Sequence, residues 1–81
     1  GDAFAQHNLG LLYRDGRGVA KDEARAAQLF RQAADQGRAD AQYDLGCMYL
    51  NGQGVAKDEA RAGQLFRQAA DQGHVGAHYN L

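Results

Sequence analysis

His74 and His78, the lone Cys47, two glycine-rich turns and a recurring set of arginines are the residues of this 81-residue chain whose types and spacing invite a chemical reading. The two histidines stand four apart, which on a helix puts both imidazoles on one face, as a metal pair requires. No glutamate follows His74 and no third ligand is near in sequence. A zinc hydrolase is therefore not expected, and neither a metal nor any other cofactor is assigned. Cys47 would need a histidine and an activating environment to serve as a nucleophile. His7 is the histidine expected at a neighbouring height, and a half-buried or surface-lining thiol is the plainer reading of Cys47. Gly16-Arg17-Gly18-Val19 and Gly52-Gln53-Gly54-Val55 resemble phosphate loops only superficially. Such loops need a preceding strand and a directly following helix, or a Lys-Ser/Thr pair. The chain has no serine or threonine at all, which also excludes hydroxyl nucleophiles of the serine or threonine hydrolase kind. Arg25, Arg31, Arg61 and Arg67, with Lys21 and Lys57, interleave with Asp22, Glu23, Asp35 and their copies, and read as a solvated mixed-charge face.

Composition narrows the classes further. Nine basic against ten acidic residues give a net charge of −1. That is no field for non-specific nucleic-acid binding and no polybasic membrane patch. No apolar run approaches the ~20 residues that span a bilayer, and one cysteine cannot form an intrachain disulfide. Sixteen alanines within a 44% hydrophobic content imply a thin core around a few Leu, Phe and Tyr anchors. Good helix formers dominate, and the only β-branched residues are Val19, Val55 and Val75. The chain is expected to be all-α.

The elements that must position these residues follow from a repeat. Residues 1–36 laid over 37–72 agree at 26 of 36 positions without a gap, and 73–81 begin a third copy. One solenoid domain over 1–81 is expected, with repeat one at 1–36, repeat two at 37–72 and a partial third repeat at 73–81. Each repeat reads as two helices. The first spans roughly Asp2–Arg14 and again Arg38–Leu50, with Ala5, Leu9, Leu12 and Tyr13 on one face. The Gly-x-Gly turns break it, and Asp22 and Asp58 cap the second helix, whose buried stripe is Ala26, Leu29, Phe30, Ala33 and Ala34. Gly10 and Gly46 lie mid-helix, where glycine costs up to ~1 kcal/mol; close approach of the partner helix is the expected reason. Alternating helices in tandem stack into an α-solenoid.

The pattern Ala5, Leu9-Gly10, Tyr13, Gly16-x-Gly18-Val19, Asp22, Ala26, Phe30, Ala33-Ala34-x-Gln36-Gly37, repeated 36 residues later, resembles the Sel-one-like repeat family, a relative of the tetratricopeptide repeat. The resemblance covers essentially the whole chain. It implies a right-handed α-α superhelix of helix-turn-helix repeats and a non-enzymatic protein-interaction scaffold. It also implies that the first helix of each pair lines a concave groove holding a protein or peptide partner. Placed on that pattern, the groove residues are Phe4, His7, Leu11, Arg14 and Asp15, then Asp40, Tyr43, Cys47, Leu50 and Asn51, then Tyr79. Nine of the ten differences between the two copies fall in the first helix or its exit turn. The shared positions then read as framework and the first helix as the specialised one. Cysteine-rich relatives linked to cell-wall or β-lactam chemistry offer an alternative, but they rely on two cysteines per repeat and this chain has one. A further alternative is a structural excerpt or an engineered array with no partner of its own. Repeat arrays usually need about three units for stability, so open apolar ends are expected, with either self-association, end to end or by exchange of the last helix, or marginal stability alone. The compartment stays open.

Overall fold

A computed structural model describes the backbone of residues 2–80 and the side chains of residues 2–77. Five helices follow in order: α1 (Ala3–Asp15), α2 (Glu23–Asp35), α3 (Ala39–Asn51), α4 (Glu59–Asp71) and α5 (Val75–Asn80). No strand occurs among the described residues, and none of their helices is long and apolar enough to cross a membrane. Helices packed in chain order, α1 on α2, α2 on α3, α3 on α4 and α4 on α5, form the solenoid.

Local chemistry sets each boundary. Asp2 accepts from the Phe4 and Ala5 N–H groups at the start of α1. Asp22 and Asp58 accept from the Arg25 and Arg61 N–H groups at 3.0 Å, so the expected caps of α2 and α4 are in place. Gly16 and Gly52 end α1 and α3 at φ 69° and 66°, and their N–H groups donate to the Leu12 and Met48 carbonyls. A side chain there would be strained in the left-handed region. Each Gly-x-Gly-Val segment is therefore a helix-to-helix turn. It is fastened by the Asp22 N–H on the Tyr13 carbonyl and the Asp58 N–H on the Tyr49 carbonyl, both at 2.9 Å.

The mid-helix glycines have a packing cause. A Cβ on Gly10 would sit 2.7 Å from the Phe30 ring, and one on Gly46 would sit 2.8 Å from the Phe66 ring. Phe30 and Phe66 are 0% and 3% exposed, and they anchor the two halves of an alanine-rich core. That core runs through Ala26, Ala33 and Ala34 to Ala41, Leu45 and Met48, and on to Ala62, Ala69 and Ala70. Leu29, expected in the buried stripe of α2, is only half-buried; Ala27 takes that place at 3% exposure.

Candidate functional site

α1 and α3 lie side by side in successive repeats, joined by contacts between their side chains. His7 is 8% exposed, packs its ring 5.6 Å from that of Phe30, and brings Nε2 to 2.6 Å from Asp44 Oδ2. A carboxylate only accepts, so the imidazole N–H donates. Arg14 approaches the other oxygen of Asp44 at 3.8 Å and donates to Asp15 through Nε at 3.0 Å. The hydrogen bond to Asp15 raises the Arg14 guanidinium above its ordinary range against the opposing effect of burial. The same bond holds the exposed Asp15 carboxyl below the usual carboxylate range.

Cys47 stands on α3 where α1 has Leu11, and both are partly buried against the core. Burial pushes the Cys47 thiol up, outweighing a hydrogen bond with Tyr43 and the pull of Arg14. A thiol shifted that way is a poor nucleophile at neutral pH. His7 turns to Asp44, and the expected neighbourhood of His7 and Cys47 builds no activated thiolate.

The remaining residues singled out by spacing differ in exposure and partners. Leu50 is 37% exposed and Phe4 55%. Arg38 lies over the Phe4 ring at 4.8 Å and pairs with Asp40 at 3.3 Å. Tyr43 packs on Phe66 at 5.6 Å and stacks on His74 at 4.6 Å. His74 pairs with Asp40 at 3.3 Å, and its Nδ1 accepts the Ala77 N–H at 3.2 Å. It therefore ties α5 to α3, a role that its spacing to His78 did not suggest. The side chains of His78 and Tyr79 lie outside the described residues. Among the described residues no three His, Cys, Asp or Glu side chains gather as a metal site.

Leu11, Arg14 and Asp15 on α1 stand at the same repeat positions as Cys47, Leu50 and Asn51 on α3. His7 is buried against Phe30 and bound to Asp44. Every one of these positions differs between the two repeats.

Two structural roles escaped the sequence reading. Gln42, 6% exposed, donates to the Ala34 carbonyl at 3.3 Å and accepts from Gln72 at 2.8 Å, tying α3 to the helices on both sides. Its identity with Gln6 in the other copy was the available signal. The arginines of the solvated face are exposed and also lie over tyrosines: Arg31 and Arg61 over Tyr49 at 5.8 and 5.4 Å, and Arg25 over Tyr13 at 5.4 Å. Arg31 also hydrogen-bonds the Tyr49 hydroxyl.

The Sel1 repeat family model matches residues 3–37 and 39–74. Among solved structures, a Sel1 repeat protein from Oxalobacter formigenes is similar over all of this chain and 61% of its own length, at 43% identity and a TM-score of 0.98. This chain thus spans about three-fifths of that relative. A protective antigen present in uropathogenic Escherichia coli strains, displaying an SLR fold, matches at 42% identity and a TM-score of 0.94. That match takes in 95% of this chain and 16% of the antigen. Helicobacter pylori cysteine-rich protein B matches at 32% identity and a TM-score of 0.93, over 98% of this chain and 59% of its own. Cys47 here is a single free thiol. No curated protein sequence matches the chain.

Proposed function

The chain belongs to the Sel1 repeat family, and from that premise we propose that it is a non-enzymatic scaffold holding a protein or peptide segment on the face shared by α1 and α3. Sel1 repeat proteins generally act through protein interactions; the groove and its residues are our reading. The observation that carries it is the separation of two kinds of position. Those common to both repeats include the alanines, phenylalanines and glycines of the packed framework. Those that differ include Leu11, Arg14, Cys47 and Leu50, which keep part of their surface open. Leu11, Cys47 and Leu50 offer an apolar strip, and Arg14, Asp15 and Asp44 edge it with charge. Interfaces of this build draw affinity from a few partly buried apolar and arginine anchors.

Peptides selected from a random library on the immobilised chain test this. Leu11→Glu and Leu50→Glu, both at positions with exposed surface, are expected to weaken the selected peptides at least tenfold with the helical signal intact. Amide shifts on peptide addition should centre on α1 and α3. Unchanged affinity in both variants, or shifts centred on the outer faces of α2 and α4, would overturn the reading.

A further inference from the structure

One imidazole at the turn from α4 into α5 makes two contacts that ask opposite things of it. His74 is the residue before α5. Its Nδ1 accepts the Ala77 N–H at 3.2 Å, one of the amides that the first turn of a helix leaves without an internal partner. Its Nε2 lies 3.3 Å from Asp40 Oδ1. A nitrogen that accepts a backbone N–H carries no hydrogen, and one that faces a carboxylate carries one. The two contacts therefore fix the neutral ring with its hydrogen on Nε2.

The ring is held in place from α3 and from α5. It stacks on Tyr43 at 4.6 Å with 20° between the planes. Gly76 lets the backbone of α5 close over that stack, since a Cβ there would sit 3.1 Å from the Tyr43 ring and 3.2 Å from that of His74. On the α3 side the groups facing the imidazole are Asp40 and Tyr43, with Arg38 paired to Asp40 at 3.3 Å. On the α4 side stand the exposed Asp71 and Gln72, the latter bonded to Gln42. The titratable groups of α5 itself are His78 and Tyr79, whose side chains lie outside the described residues.

The same place one repeat earlier is built differently. There Arg38 precedes α3, makes no side-chain cap bond, and lies over Phe4, the counterpart of Asp40. Arginine keeps its charge at every physiological pH, so that junction is fixed. Histidine is the side chain whose charge ordinarily changes between pH 5 and 8, and the junction at His74 is the one that a proton can alter.

A proton would act unequally on the contacts of His74. It turns Nδ1 from acceptor to donor, so the Ala77 N–H loses its partner. A cation is also unfavourable at the N-terminus of a helix. Toward α3 the effect is the reverse: the bond to Asp40 becomes charge-assisted, and the Tyr43 face attracts a cation stacked on it. We propose that His74 is a proton-operated latch between the second and third repeats. Neutral, it caps α5 and bonds Asp40 at once; protonated, it stays on α3 and lets go of the first turn of α5. The start of α5 is then fastened in neutral solution and loosened in mild acid.

NMR on the chain between pH 5 and 8 reads this directly. The Ala77 amide resonance should titrate with the same midpoint as the ring protons of His74. Its hydrogen-exchange protection, corrected for the intrinsic pH dependence, should fall several-fold across that titration, while the amides of α3 keep theirs. His74→Asn supplies a capping side chain that does not titrate, so there the Ala77 signal and its protection should stay constant with pH. In Asp40→Asn the Ala77 and His74 curves should shift together. Unchanged Ala77 protection across the His74 titration, or curves that separate in Asp40→Asn, would overturn the proposal. So would an Ala77 titration that persists in His74→Asn, which would assign the proton to His78. Should His74→Asn fail to fold, the wild-type comparison alone decides.

Discussion

Leu9 of α1 and Leu45 of α3 occupy the same place in two repeats that share 26 of 36 residues, yet the first is 40% exposed and the second 3%. The contrast runs through the whole face. Leu12 is 39% exposed where Met48 is 1%, and Ala5 is exposed where Ala41 is 0%. Gln6 donates to Gln32 at 3.3 Å, whereas Gln42 donates to the Ala34 carbonyl. Contacts inside each repeat barely notice the difference. The nearest approaches of Gly10 to Phe30 and of Gly46 to Phe66, 2.7 and 2.8 Å from the Cβ position, are nearly the same. Burial in this chain is therefore decided between repeats, and helix pairing within them.

The widest test of that contrast is a pair of truncations at one repeat position. Leu45→Ala should cost ~2–5 kcal/mol in denaturant unfolding, the range for a buried leucine. Leu9→Ala should cost under ~1 kcal/mol, because much of its side chain is already wet. Equal losses would break the comparison. Gln42→Ala should cost about 1–3 kcal/mol by stranding the partners of a buried amide, while Gln6→Ala stays near the ~0.5 kcal/mol typical of surface changes.

Gly10→Ala and Gly46→Ala sharpen the other side of the comparison, since they probe contacts the two repeats share. Crowding of the phenylalanine ring opposes the gain in helix propensity, leaving a loss on the order of 1 kcal/mol. The losses should match between the two sites, and a large disparity would show that pairing within a repeat also depends on its neighbours.

The smallest expected effects lie on the surface strip. Cys47 should react with iodoacetamide at pH 8 more slowly than a free cysteine, because burial raises its thiol; unfolding in urea should restore the rate. Arg14→Ala should move the NMR titration of the Asp15 carboxyl upward. The lowered carboxyl contributes stability present above its unfolded pKa of ~3.9 and lost as pH falls through its folded value. Repeat two, with Leu50 and Asn51 in those places, has no counterpart of this titration.

Much of this architecture was legible in the residues. The period, the Asp22 and Asp58 caps, the Gly-x-Gly turns and the mid-helix glycines all rest on interactions between residues close in sequence or repeated in register. The candidate site was legible only in outline. That α1 and α3 carry the variable positions follows from comparing the copies. That His7 is buried on Phe30 and bound to Asp44 does not, because its partners lie 23 and 37 residues away and only packing brings them together. Arg31 illustrates the same limit: its charge predicted the exposure it has, but not the tyrosine of the next repeat that its guanidinium lies over.

By itself, the sequence determined that the chain is helical, that its unit is a 36-residue helix pair, and where each helix starts, turns and leaves room for a ring. Those outcomes depend on backbone caps, glycine conformations and side-chain spacing within one turn or one repeat. Only the tertiary structure decided which of two near-identical faces is core and which is surface. A leucine is buried when another helix lies against it: α2 packs on α3, which carries Leu45, and among the described residues no helix lies on the same side of Leu9.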